Sequence, residues 1–361
     1  MELAINQGAL VKHFKFSFLF TVICLALAGW WGYTRGGAAG ALSAVGIAAI
    51  LGVMEVSLSF DNAVVNASVL KTWDKFWQTL FLGLGIIIAV FGMRLIFPLA
   101  IVAVAADLGV TEVVTMALND PAQYSMHLTN HHAEVAAFGG VFLLLVFLNF
   151  LLDDQKQLHW LGHVEEKLAS LGKVGSVPVL IALGTVLASL AFVGPSKDLV
   201  VLSAGIWGIV TYVAVDVISN TLESKEENGS NVGEMVKRGG IGAFLYLEVL
   251  DASFSFDGVI GAFAITNDVI IIMLGLAIGA MFVRSFTVYL VRQGTLDQFV
   301  FLEHGAHYAI GILALIMLAS MRYHVSEIFT GLIGVAFIAA SVWSSITYRR
   351  RNALKGGQAN A

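Results

Sequence analysis

The sequence predicts an all-α fold, a polytopic transmembrane helical bundle of about ten helices, and three observations carry that reading. Of 361 residues, 58% are hydrophobic and only 12% charged, with a mean hydropathy of +0.84, whereas soluble domains carry roughly 25% charged residues. The chain holds ten apolar segments of the size that spans a hydrocarbon core of about 30 Å, which takes about 20 helical residues. Lysine and arginine alternate in abundance from one connecting loop to the next, as the positive-inside bias requires.

In chain order the predicted spans are 16–34, 37–65, 76–103, 133–152, 177–194, 198–218, 239–264, 268–291, 305–321 and 325–347. The first follows the basic stretch Lys12-His13-Phe14-Lys15. Its far flank, Gly29-Trp30-Trp31-Gly32-Tyr33, lacks a small-residue cleavage site, so it reads as an uncleaved span rather than a secretory signal. Trp30, Trp31, Trp73, Trp77 and Trp343 fall near span ends, where interfacial anchoring accounts for them. The fifth and sixth spans are separated only by the turn Gly194-Pro195-Ser196-Lys197. This division puts fifteen of the twenty basic residues on one side, Arg35, Lys197 and Arg322 on the other, and Arg94 and Arg284 within spans. Both termini are therefore expected in the cytoplasm, with the chain in a bacterial cytoplasmic membrane.

A net charge of −5 without a basic stripe excludes a nucleic-acid binder, and the single Cys24, in an apolar run, excludes a disulfide framework or a multi-cysteine metal site.

Two phrases stand out. Met54-Glu55-Val56-Ser57-Leu58-Ser59-Phe60-Asp61-Asn62 and Leu250-Asp251-Ala252-Ser253-Phe254-Ser255-Phe256-Asp257-Gly258 share an acidic residue, the pattern S-x-S-F and a second acidic residue six positions after the first. They lie on the second and seventh spans, so they cross the membrane in opposite directions. The likeness extends to 85–94 and 275–284, each ending in an intramembrane arginine, Arg94 and Arg284. The third helix of each half opens with His131, His132 and Glu134, or with Glu303, His304 and His307. The organisation is thus 1–36, a cytoplasmic segment and first span; 37–152, one three-helix half; 153–238, loops and two connecting spans; 239–321, the inverted half; and 322–361, the last span and a basic tail. Inverted three-helix units with polar helices near the midplane are the plan of secondary transporters.

Ionised carboxylates at bilayer depth are costly unless paired, solvated or protonated. Glu55, Asp61, Asn62, Glu248, Asp251 and Asp257 are the candidate metal ligands, supported by Ser57, Ser59, Asn66, Ser253 and Ser255. These oxygens suit Mg2+, Ca2+ or Mn2+ rather than zinc or copper. Arg94 and Arg284 are candidate counter-ions for the empty site, so that metal exit is linked to proton entry. A purely structural pairing of Asp61 and Asp257 with these arginines stays open. Because the serines and asparagines compete for backbone hydrogen bonds, each phrase is expected to be locally unwound. Asp216 is a possible pathway residue. The segment 103–132, with Asp107, Glu112, Asp120 and His127, reads as a solvated polar loop. Asp153, Asp154, Glu165, Glu166, Glu223, Glu226 and Glu227 read as ordinary solvated charge.

On Glu55, Ser57, Ser59, Asp61 and Asn62, on Asp251, Ser253, Ser255 and Asp257, and on Gly92 with Arg94, the chain resembles the TerC family of integral membrane proteins, named for tellurium resistance and including manganese exporters. The resemblance covers roughly 37–152 and 239–321, with Gly258 where the first phrase has asparagine. It implies efflux of a divalent cation, Mn2+ foremost, with no permanently bound cofactor and with the lipid bilayer, the metal ion and protons as partners. Alternatives are a non-transporting scaffold in a metal or tellurite stress complex, or an intramembrane aspartyl hydrolase, which the absence of a Gly-x-Gly-Asp phrase disfavours. An enzyme is not expected.

Overall fold

The computed structural model describes residues 7–105, 107–193, 197–223, 239–293, 299–323 and 325–358, and every regular element among them is helical. The first, α1 (Gln7–Leu58), has 52 residues, about 78 Å at 1.5 Å per residue and more than twice a bilayer core. It doubles back at Gly36 and Gly37, where Gly37 has φ +59°, a conformation that a side chain would resist. Its two arms then lie together, with Gly32 close against the carbonyl of Gly40. The second arm continues past a bend at Ser59 into α2 (Phe60–Leu70).

The third predicted span is α3 (Lys75–Ile87), a π-helical stretch (Ile88–Ile96) and α4 (Phe97–Ala105). Then come α5 (Val110–Asn119), α6 (Pro121–Asn130), α7 (His132–Leu151), α8 (His163–Ala169), α9 (Val177–Ser189) and α10 (Asp198–Glu223). The second half consists of α11 (Ile241–Ile265), α12 (Val269–Gln293) and α13 (Leu302–Ser320), and the last helix, α14 (Glu327–Gln358), follows it. Seven described helices are long and apolar enough to cross a membrane, the doubled α1 counted once. The protein is a multi-pass helical membrane bundle. The fifth predicted span is shorter than expected: α9 has 13 residues, about 20 Å, and bends by 99° from the preceding helical segment.

Contacts between loops follow the charge partition. At one end Arg35 donates to the carbonyl of Leu118 at 3.4 Å, Trp31 Nε1 donates to Asp268 at 2.9 Å and Lys197 donates to the carbonyl of Asn130 at 2.8 Å. At the other, Lys156, Glu165 and His304 meet, the Phe301 amide donates to Ser345 at 2.9 Å, and Gly239 lies on Trp73. Stretches assigned by sequence to one side thus touch stretches assigned to the same side.

The third helices of the two halves also run antiparallel. Gly140 packs on Leu318 and Phe147 on Gly311, so seven residues forward on α7 correspond to seven back on α13.

Three local expectations change. The 103–132 segment is a pair of helices rather than a loop. Asp120 caps α6 by accepting from the Gln123 amide at 3.2 Å with Pro121 in the first turn, and Val113, Ala117, Tyr124 and Leu128 are buried in an apolar cluster with α11 and α12. Its acidic side chains occupy the other face, so an amphipathic hairpin had read as merely polar. Trp73 is buried beside Phe81 instead of anchoring an interface. Glu165 is fully buried, as described below; Glu226 and Glu227 lie outside the described residues.

Candidate functional site

The two acidic phrases meet in space. Asn62 Nδ2 donates to Asp251 Oδ1 at 2.6 Å. Seven residues back on the first phrase and seven forward on the second, Glu55 faces Gly258, and its Oε2 lies 2.7 Å from where a Cβ on Gly258 would sit. The phrases therefore cross antiparallel about a pseudo-twofold relation that exchanges Glu55 with Asp251 and Asn62 with Gly258. This is the inverted arrangement that the spacing implies, realised by direct contact.

Each first-position carboxylate is met by the arginine of its own half. Arg94 Nη2 donates to Glu55 Oε1 at 2.5 Å, and Ser59 Oγ donates to the same oxygen at 2.9 Å. Glu55 is 1% exposed and Arg94 6%. The other guanidinium nitrogen, Nη1, reaches back to the carbonyl of Ala89, five residues earlier, within the π-helical stretch. In the second half the Arg284 Nη2 to Asp251 Oδ2 distance is 3.5 Å. Arg284 divides its contacts, donating to the carbonyl of Gly85 at 3.3 Å and lying 4.2 Å over the ring of Phe81. Its backing is looser than that of Arg94.

Close helix approach makes these pairings possible. Gly279 on α12 lies so near Glu55 that a Cβ there would collide with the Glu55 stem. Gly85 on α3 leaves room for Glu248, whose Oε1 is 2.9 Å from the position of a Cβ on Gly85. Glu248 is three residues before Asp251 on a continuous helix, hence on the same face, and has Gly52 as its counterpart by repeat position.

The phrases are not unwound. α11 is unbroken through 250–258, and in the first copy only Ser59 departs, at φ −100°, ψ 15°. Backbone bonds bracket even that bend, Ser59 N to Glu55 O at 2.9 Å and Ala63 N to Ser59 O at 3.2 Å. The serines explain the difference: Ser57 and Ser253 donate back to the carbonyls of Val53 and Val249 at 2.9 Å, so their hydroxyls are satisfied within the helix instead of competing with it. The irregular backbone lies instead at Ile88–Ile96, around Arg94, where sequence pattern offered only a glycine, Gly92.

The side chains of Asp61 and Asp257 lie outside those described. Ser253 and Ser255 are buried on the second phrase and Asn66 one turn past the first, whereas Ser57 is exposed. Asp216 is half-buried on α10, which packs on α7, α9 and α11. Among the described residues, no three His, Cys, Asp or Glu side chains form a metal-ligating group; the described carboxylates of the crossing are accompanied by arginine.

Sequence reasoning missed a second buried polar cluster. Glu165, on α8, is 0% exposed. Lys156 Nζ is 2.5 Å from its Oε1, the Leu161 amide donates to its Oε2 at 3.0 Å, and His304 Nε2 lies 3.5 Å away. Lys156 also covers the Phe150 ring at 4.2 Å, and His307 stacks on that ring at 3.9 Å. His304, which also bonds the Leu158 carbonyl at 2.9 Å, ties the segment between α7 and α9 to the start of α13. In sequence it resembles any charged loop; only the apolar Leu158, Trp160 and Leu161 between the partners mark it as a docked segment.

A family model described as a protein of unknown function, DUF475, matches residues 60–352, so the chain belongs to that family. The matched stretch contains Asp61, Arg94, Glu248, Asp251, Asp257 and Arg284 and begins after Glu55. No curated protein and no solved structure matches the chain.

Proposed function

We propose that this DUF475 protein is a secondary transporter that moves a hard divalent cation, Mn2+ foremost, out of the cytoplasm through the crossing of the two acidic phrases. The observation that carries the reading is the direct antiparallel contact of the inverted phrases, Asn62 on Asp251 and Glu55 against Gly258, with a buried arginine behind each acidic residue. Inverted halves that share a polar crossing have two related packings of similar energy, which is the basis of alternating access. Oxygen ligands without histidine or cysteine select a hard cation. When metal is absent the arginines neutralise the carboxylates, and exchange for protons returns the charge on the outward limb. In this reading both termini face the cytoplasm of a bacterial cell, and the TerC-like residues of the two phrases reflect kinship in mechanism.

Cells expressing the wild type or Asp251→Asn, loaded with Mn2+ and matched for protein level, test the proposal. The wild type is expected to retain several-fold less metal and to survive better. Equal retention would leave a membrane scaffold held by buried ion pairs as the better reading. In proteoliposomes, Mn2+ flux is expected to be accompanied by opposite proton movement, read with a pH-sensitive dye; flux without it would remove the antiport step.

A further inference from the structure

Resting on that reading, we infer that the cation is seated on Glu248 and Asp251 of the second half, with Asn66 facing them from α2, and that Glu55 with Arg94 is a clasp rather than a ligand set. The buried oxygens divide unequally between the halves. Both carboxylate oxygens of Glu248, Oδ2 of Asp251 and Oγ of Ser255 make no hydrogen bond, and all three residues are at most 6% exposed. Glu248, Asp251 and Ser255 are spaced by three and four residues on the unbroken α11, so they share one face. Asn66, whose buried Oδ1 also lacks a hydrogen bond, lies one turn past Asn62 on α2. Because the phrases run antiparallel, that turn comes level with the step from Leu247 to Glu248. In the first half, by contrast, Glu55 Oε1 accepts from both Arg94 and Ser59, so the Ser59 hydroxyl is satisfied.

Charge points to the same half. Among the described side chains, Glu55 and Arg94 form a neutral pair, whereas Glu248 and Asp251 bring two carboxylates to the guanidinium of Arg284. A divalent cation neutralises that pair in full and releases Arg284 to the contacts it already has, the Gly85 carbonyl and the Phe81 ring. Carboxylate, amide and hydroxyl oxygens on one helix face and its neighbour are the donor set that Mn2+ accepts. Steric room agrees as well. The position equivalent to Glu248 is Gly52, where helix packing is close: a Cβ there would meet Ile278 at 3.0 Å and the Gly275 carbonyl at 3.4 Å.

The purified chain in lipid nanodiscs, titrated with Mn2+ and followed by the loss of the free-ion EPR signal, tests this. The wild type is expected to bind one Mn2+ per chain. Glu248→Gln is expected to weaken binding at least tenfold with no fall in Tm, because its side chain gives up no hydrogen bond. Gly85→Ala, which presses on Glu248 Oε1, is expected to weaken it in the same direction. Glu55→Gln is expected to lower Tm by leaving Arg94 unpaired. Unchanged Mn2+ affinity in a stable Glu248→Gln chain would overturn the inference, as would two equivalent Mn2+ per wild-type chain. A wild type that binds no Mn2+ would overturn the transport reading instead.

Discussion

The two halves solve one packing problem with different parts. Where the first half uses the longer Glu55 against Gly258, the second uses the shorter Asp251 against Asn62. The longer carboxylate meets a glycine and the shorter one meets the asparagine amide, and the crossing closes both times. The consequences for hydrogen bonding are not equal. Glu55 reaches both Arg94 and Ser59, while Asp251 receives an amide from Asn62 and stands 3.5 Å from Arg284, with Ser255 left over. Backbone follows suit, since Arg94 sits in a wide π-helical stretch and Arg284 in a regular α-helix. Insertions of that kind inside α-helices recur at functional sites. Pseudo-symmetry here constrains the framework, and single substitutions decide which half is tight.

The largest expected effect comes from breaking the tight pair. Glu55→Gln leaves the Arg94 guanidinium buried without its carboxylate, and removing one partner of a buried ion pair costs about 3–5 kcal/mol. Asp251→Asn is expected to cost less than half as much, because Arg284 keeps its carbonyl and its aromatic face. Thermal unfolding of both variants in one detergent measures the gap. Equal losses would mean that the 2.5 Å and 3.5 Å separations do not reflect strength.

A steric pair comes next. Gly279→Ala puts a methyl into the stem of Glu55, which is held at its tip and cannot retreat, and overpacking of this sort costs about 1–3 kcal/mol. Gly85→Ala meets only the far end of Glu248, a tip without hydrogen bonds, and is expected to change stability by less than about 1 kcal/mol while shifting metal affinity. If Gly85→Ala unfolds the chain as readily as Gly279→Ala, the second half is not the looser one.

What could be read in the sequence was whatever depends on pattern along the chain. Apolar run length gave a multi-pass helical bundle, though with ten spans expected against seven described helices long and apolar enough to cross, and the repeated S-x-S-F phrase paired Glu55 with Asp251. The contact Asn62 to Asp251 was beyond reach, because register between two helices is set by which small residues allow approach, here Gly258 against Glu55. Serine content suggested unwinding, yet a serine inside a helix can bond its own preceding turn, as Ser57 and Ser253 do. Glu165 was misjudged for a related reason. Its burial depends on Lys156 and His304, separated from it by 9 and 139 positions, and no local pattern encodes that meeting.

The smallest expected effect isolates the difference most cleanly, because it removes one oxygen atom from equivalent positions. Ser59→Ala deletes a hydroxyl that donates to Glu55 Oε1 at 2.9 Å, an oxygen already held by Arg94, so the loss is expected near 1 kcal/mol, in the range of a single hydrogen bond. Ser255→Ala deletes a buried hydroxyl with no hydrogen bond, so stability is expected to stay unchanged or to rise slightly as a desolvated polar atom is removed. The two serines occupy the same place in the repeat, four residues after Glu55 and Asp251, but Ser59 lies at the bend before α2 and Ser255 inside the unbroken α11. Alanine's helix preference therefore helps only at 255 and adds a few tenths of a kcal/mol to the difference that hydrogen bonding sets. A loss on Ser255→Ala as large as that on Ser59→Ala would show that the second hydroxyl is held in the membrane, and that the two clasps are equally tight.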